Sequence, residues 1–234
     1  MPSLFEAYIT NLGTYNEGRP VGETLKFPTT AEEVQSLLKR IGVDGIRYGE
    51  FFITSFDGDV LGLHDHLSEY ENLDELNHLA CLLSELDQEE LAKFEAVIDS
   101  GSHTSSVADL INLTHNLDCF DFYPDIEGEE DLGRHFTEDL AIPAELKGYF
   151  DYEAYGRDVS INEGGHFAPG GYVVQTSGNF TEHYHGPQDI PREHKVFALP
   201  QLSIREQMAA YQEVAAKAAD HKEKHLPDAG REER

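Results

Sequence analysis

Residues able to act as ligands or nucleophiles are few and poorly grouped in this 234-residue chain. Two alternating pairs, His64-Asp-His66 and His183-Tyr-His185, would put imidazoles on one face of a strand, a common start for a metal site. Neither pair has a third and fourth ligand at recognisable spacing, so both read as surface histidines, and no metal is expected. Cys81 and Cys119 sit in apolar-periodic segments and read as small buried hydrophobes in a reducing cytoplasm rather than as a disulfide. There is no Gly-x-Ser-x-Gly, no phosphate-binding loop and no Cys/His arrangement of nucleophilic type. The run Tyr149–Tyr155 has the composition of a base-stacking platform, but bases would have to approach a negative surface, so module core and subunit contact is the better reading. The chain is therefore read as a non-enzyme, with no catalytic residues and no cofactor.

One reactive group is abundant. The chain has 45 Asp and Glu against 17 Lys and Arg, a net charge of −28. That excess opposes compaction by self-repulsion and goes beyond what solubility needs. It also excludes ordinary binding to DNA, RNA or anionic membranes, because phosphates would be repelled. Residues 41–170 carry −25 of the total. The carboxylates there are interleaved with Leu, Ile, Phe and Tyr, the pattern of folded elements with an acidic outer face rather than a disordered tail. The array comprises Glu69, Glu71, Asp74, Glu75, Glu85, Asp87, Glu89, Glu90, Asp125, Glu127, Glu129, Glu130, Asp131, Glu138 and Asp139. Any one of them taken alone reads as an ordinary solvated side chain. Arg134 stands among them at i, i+4 spacing to both Glu130 and Glu138, and is expected to pair internally with one of these or with Asp131.

The elements that must carry this array follow from local pattern. Residues 4–10, 21–27 and 48–56 read as strands, with a turn-rich segment over 11–18. Thr30-Ala-Glu-Glu33 opens a helix that Gly42 stops. From about Ser68 to His115 the period becomes helical. Leu73, Leu76, Leu79, Ala80, Leu83 and Leu86 form one face, while Asp74, Glu75, Asn77, His78 and Glu85 fall largely on the other. Asp87-Gln-Glu-Glu90 starts a second helix and Ser105 or Ser106 a third. Residues 119–123 read as a strand, 129–140 as a helix and 143–148 as one more turn, with Pro143 at its first position. A short helix capped by Asp151 is expected to end near Arg157. Strands are then expected at 159–162 and 171–176, joined by a Gly-rich hairpin over 163–170. Residues 177–200 have no clear period and read as a loop or linker. Ser203–Ala219 reads as a helix with a Ser203/Glu206 capping box, and Ile204, Met208, Tyr211 and Ala215 make one apolar stripe. That stripe is expected to pack on the second α+β module or across a dimer.

The organisation read from this is an α+β protein, elongated, in three small modules with a C-terminal helical tail. An N-terminal α+β module spans 1–61, an acidic helical module 62–117, a C-terminal α+β module 118–176, and a linker with an amphipathic helix 177–234. No targeting signal or membrane span is legible at the N-terminus or elsewhere, and the chain is expected to be cytoplasmic.

The segments Ala7-Tyr-Ile-Thr-Asn-Leu-Gly-Thr-Tyr-Asn-Glu17, Tyr123-Pro-Asp125, Leu132-Gly-Arg134, Gly148-Tyr-Phe-Asp-Tyr-Glu-Ala-Tyr-Gly-Arg-Asp158 and Asn162-Glu-Gly-Gly165 occur in this order. Together they resemble the ArdA antirestriction family over roughly residues 4–175. The resemblance implies a homodimeric DNA mimic from a mobile genetic element. Its carboxylates would stand in for phosphates in the DNA-binding groove of type I restriction-modification enzymes, contacting specificity and methyltransferase subunits. The stretch resembling the family's antirestriction motif is Glu130, Asp131, Leu132, Gly133, Arg134, His135, Phe136, Thr137, Glu138, Asp139 and Leu140. A dimer would carry about 56 negative charges, the charge of roughly 95 Å of duplex at one per 1.7 Å. Two other readings share some of the features. A salt-adapted enzyme would spread its acid over the whole chain, unlike the asymmetry here. An acidic binding module or chaperone for another basic DNA-binding protein has the same electrostatics and is separated only by the ordered resemblance.

Overall fold

The computed structural model describes residues 3–138, 140, 142–176 and 178–224. Helix accounts for 47% and strand for 16%, in an α+β fold with small antiparallel sheets and a C-terminal helix. In chain order the strands are β1 (Phe5–Asn11), β2 (Gly22–Phe27), β3 (Phe51–Gly58), β4 (Phe120–Pro124), β5 (His166–Ala168) and β6 (Gly171–Gln175). The helices are α1 (Leu12–Asn16), α2 (Ala31–Arg40), α3 (Leu73–Glu85), α4 (Gln88–Asp99), α5 (Val107–Thr114), α6 (Glu129–Thr137), α7 (Tyr152–Glu163) and α8 (Ile204–Lys224). One sheet has the order β2-β1-β3 and the other β4-β6-β5. The chain divides into two compact units, one of Met1–Glu6, Lys26–Pro28 and Phe56–Lys195, the other of Ala7–Leu25, Thr29–Ser55 and Val196–Arg234.

In the larger unit, α4 packs on the second sheet and α3 on α5. Strand β6 is buried on both faces from Gly171 to Val174, as its place between β4 and β5 requires; Tyr172 and Val174 face a core with Ile126 and Leu132, closed by Tyr123, Phe136, Val159 and Phe167. The antiparallel register pairs Phe122 with Val173 and Phe167 with Tyr172. Helices α6 and α7 cross at backbone distance through Gly133 and Gly156. A Cβ at Gly133 would lie 1.9 Å from the Tyr152 carbonyl oxygen, and one at Gly156 1.8 Å from that of Glu129. Only glycine fits at either position.

The expected strand at 159–162 is instead the last part of α7. Val159 and Ile161 have the β-branched alternation of a strand, but Val159 continues the inward face of α7 while Ile161 is exposed. The helix ends at Gly164, whose φ of 68° supplies the left-handed cap. The hairpin is correspondingly tighter, turning at Pro169-Gly170 between β5 and β6.

In the smaller unit, Thr30 caps α2 by accepting from Glu33 N, and Val34, Leu37 and Leu38 are its buried face. The expected turn over 11–18 contains α1, which Asn11 caps while its amide donates to the Ile41 carbonyl. Helix α8 opens with the expected reciprocal box, Ser203 N donating to Glu206 Oε2 and Glu206 N to Ser203 Oγ. Its contacts are Glu206 with Lys39 (2.9 Å), Glu213 with Arg47 (2.6 Å) and Lys217 with Glu17 (3.2 Å), and Ala210 is its one fully buried side chain among the described residues. Lys39 and then Ser203 hold the Glu206 carboxyl down to about 2.

Candidate functional site

The carboxylates of the array lie in the larger unit, concentrated at helix N-termini. Asn72 caps α3 by accepting from Asp74 N and Glu75 N, which places both acids in the first turn. Asp87 and Glu90 form the capping box of α4, with Glu89 and Glu90 in its first turn. Glu129, Glu130 and Asp131 occupy the first turn of α6. The partial positive charge at each N-terminus favours these acids by about 0.3–1 kcal/mol apiece. That placement offsets part of the mutual repulsion that a charge of −28 imposes.

Exposure divides the array. Glu69, Glu85, Asp87, Glu89, Glu90, Asp125, Glu127, Glu130, Asp131 and Glu138 are exposed. Glu71, Asp74, Glu75 and Glu129 are half-buried. Asp139 lies outside the described residues. Several members also have work within the fold: Glu71 accepts from Ser68, Glu129 pairs with Arg157, and Glu75 accepts the Tyr184 hydroxyl at 2.7 Å. Arg134 pairs with Glu130, its Nε and Nη2 at 3.1 and 2.5 Å, and stacks 4.4 Å over the Tyr152 ring. Of its three candidate partners, Arg134 takes the one four residues earlier.

The motif-like stretch alternates between surface and core. Glu130, Asp131, Arg134, His135, Glu138 and Leu140 are exposed, Leu132 and Gly133 are buried, and Phe136 packs on the core. Thr137 is buried and donates its hydroxyl to the Gly133 carbonyl at 2.7 Å. The stretch therefore serves two ends: its apolar side fixes α6 on the core and the glycine crossing, and its acidic side faces solvent.

Residues 178–195 are a loop, with 3-10 turns at Pro187–Asp189 and Arg192–His194, and the loop is held in place as a strap. Three asparagines pin this strap to the helices. Asn112 donates to the Tyr184 carbonyl (2.9 Å) and accepts from His183 N (2.7 Å) and Tyr184 N (2.8 Å). Asn116 donates to the Thr181 carbonyl and Asn77 to the His194 carbonyl, both at 2.9 Å. Asn77 and His78 were expected largely on the outer side of α3; the strap covers them, leaving 1% and 6% exposure. His78 Nδ1 meets His194 Nδ1 at 2.8 Å. Burial, then the charges of His194 and His115, holds His78 down to about 4. Burial also pushes the Tyr184 hydroxyl above its ordinary value, and its bond to Glu75 adds to this. Sequence reasoning missed the strap. The available signal was amides at Asn112, on the otherwise apolar face of α5, and at Asn116, just past its end.

His64 is exposed and His66 half-buried; His183 is exposed with its ring edge-on to His115, and His185 is exposed. No group of three or more His, Cys, Asp or Glu that could hold a metal occurs among the described residues. Burial raises both thiols, Cys81 and Cys119, away from the reactive thiolate form. In the Tyr149–Tyr155 run Tyr149 is 89% exposed, while Tyr152 and Tyr155 pack around Phe150. Among the described residues no helix is long and apolar enough to cross a membrane.

The glycine crossing of α6 and α7 joins two of the ordered segments, Leu132-Gly-Arg134 and Gly148–Asp158, and a family model described as antirestriction protein (ArdA) matches residues 7–174. The chain belongs to the ArdA antirestriction family. Membership of an antirestriction family implies restriction-modification enzymes as targets. The match ends before the strap and α8, which lie outside the ArdA region. No curated protein matches the chain.

Proposed function

We propose that this ArdA-family protein acts as a DNA mimic. Its acidic array occupies the DNA-binding groove of a type I restriction-modification enzyme and so blocks DNA binding. The observation that supports the reading is the set of exposed carboxylates held at the starts of α4 (Asp87, Glu89 and Glu90) and α6 (Glu130 and Asp131). Preplaced carboxylates gain the electrostatic attraction that phosphates gain, without the energy of bending a duplex. Lacking base contacts, they would act on enzymes of differing sequence specificity. In this proposal the protein works as a homodimer in the cytoplasm, and the specificity and methyltransferase subunits are its contacts.

Because many carboxylates share the work, the test is a graded neutralisation. Glu69, Glu85, Glu89, Glu127, Asp131 and Glu138 are exposed and can be changed to their amides singly and together. Cleavage by a type I enzyme should be inhibited almost normally by each single variant and at least tenfold less by the combined one. An unimpaired combined variant would contradict mimicry, and so would abolition of inhibition by one change in a folded protein.

A further inference from the structure

Asn112 and Asn116 hold the strap by its main chain. Asn112 grips Tyr184 through both backbone groups, accepting from its N–H at 2.8 Å and donating to its carbonyl at 2.9 Å. Asn116 grips Thr181 in the same way, at 2.8 and 2.9 Å. Residues 178–185 run without helix, turn or bend. A side-chain amide that pairs with both the N–H and the carbonyl of one residue does what a neighbouring strand would do, and it accepts any sequence. In peptide recognition such main-chain bonds supply affinity, while side-chain pockets supply specificity. One such pocket is filled here. Tyr184 is 4% exposed, its ring lies 5.9 Å from that of His78, and its hydroxyl donates to Glu75.

We propose that this face of α3 and α5 is a receptor for an extended peptide, that the strap is its resident ligand, and that a basic, tyrosine-bearing segment of a partner protein displaces the strap. The proposal is independent of mimicry. Charge selects the partner. Residues 62–117 have twelve Asp and Glu against Lys93 alone. The strap brings Glu182, Asp189 and Glu193 against Arg192 and Lys195, a net of −1. Burial, the bond to Glu75 and then the charges of Glu75, Asp189 and Asp74 push the Tyr184 hydroxyl up. The resident ligand thus adds negative charge where the site is already negative, and a basic occupant gains attraction where the strap is repelled.

Exchange also leaves no buried polar group bare. An incoming main chain and tyrosine satisfy Asn112, Asn116 and Glu75 as the strap does, so displacement avoids the penalty of removing the strap outright. The receptor residues lie within the family-matched region, residues 7–174, and the strap lies beyond it.

The probe is a fluorescein-labelled peptide with the sequence of residues 178–195 carrying Glu182→Lys and Glu193→Lys, titrated by anisotropy with the full chain at physiological salt. The tethered strap competes at an effective concentration on the order of millimolar, so the wild type should bind the probe only near that concentration. Tyr184→Ala in the full chain unseats the strap and keeps Asn112, Asn116 and Glu75; it should bind the probe at least tenfold more tightly. If that variant lacks a cooperative melt, Tyr184→Phe, which removes only the hydroxyl, should shift binding in the same direction. Hydrogen exchange at the Thr181 amide of the chain should quicken as the probe saturates. Equal binding by wild type and variant, a probe whose affinity survives its own Tyr184→Ala change, or a Thr181 amide that stays protected at saturation would each overturn the receptor. Equal affinity for the peptide that keeps Glu182 and Glu193 would overturn the choice of a basic partner.

Discussion

Replacing Asn112 by Ala would remove the central pin of the strap. Asn112 is 3% exposed and makes three hydrogen bonds to the backbone of His183 and Tyr184. Each contributes about 1 kcal/mol net, and truncation leaves two N–H groups and one carbonyl facing a site built to exclude water. The expected loss is therefore about 3 kcal/mol. For a protein of this size that is about 6–12 °C in melting temperature, at roughly 2–4 °C per kcal/mol. Asn112→Asp should not rescue it, since a carboxylate keeps the oxygen that accepts both N–H groups but turns its second oxygen toward the Tyr184 carbonyl. Far-UV circular dichroism gives the melt, and hydrogen exchange at the Tyr184 amide locates the change. The exposed Asn179→Ala serves as control, with a shift within about 0.5 kcal/mol. A loss below about 0.5 kcal/mol for Asn112→Ala, with the Tyr184 amide still protected, would refute the pinned strap.

Acid should loosen the same region. His78 titrates near 4 in the folded chain and near 6.5 unfolded, so below pH 6.5 the unfolded state binds the extra proton. The stability it contributes is present above pH 6.5 and is lost as pH falls toward 4, at about 1.4 kcal/mol per unit before solvent screening reduces it. His78→Gln should flatten that limb in urea midpoints taken from pH 7 to 4.5; an unchanged slope would count against it. Gly133→Ala or Gly156→Ala should cost about 3 kcal/mol or more by forcing α6 off α7, read as a lower urea midpoint. Truncation after Gln175 should destabilise the larger unit by uncovering Asn77, His78 and Asn112, whereas truncation after Lys195 should leave inhibition in place. If the two truncations melt alike, the strap carries no load.

Much of the fold was legible because its signals are local. Thr30, Asp87, Ser106, Asp151 and Ser203 all sit where caps sit, and the leucine period of α3 identifies its buried face. The strand expected at 159–162 failed because β-branched alternation over four residues cannot be told from a helix face, and the deciding fact, the backbone contact of Gly156 with α6, is tertiary. Asn77 and His78 were placed outward because α3 taken alone has a polar side there; what covers them arrives more than a hundred residues later. The tail helix was legible as a helix but not in its orientation, since apolar stripes are expected to turn inward and ion pairs with Lys39, Arg47 and Glu17 hold this one outward. The exposure of ten members of the array was legible from composition alone, since Asp and Glu stay in water by default, whereas the half-burial of Glu71, Asp74, Glu75 and Glu129 depends on tertiary partners the local pattern does not show.

The central claim is that this protein competes with DNA for one site. It is tested most directly by fluorescence anisotropy of a labelled duplex of about 30 base pairs bound to a type I methyltransferase, titrated with the protein at several salt concentrations. The account predicts full displacement of the duplex, with an affinity for the enzyme that falls steeply as salt rises, as that of DNA itself does. An enzyme–DNA complex left intact by saturating protein, or a protein–enzyme complex that still binds the duplex, would contradict it.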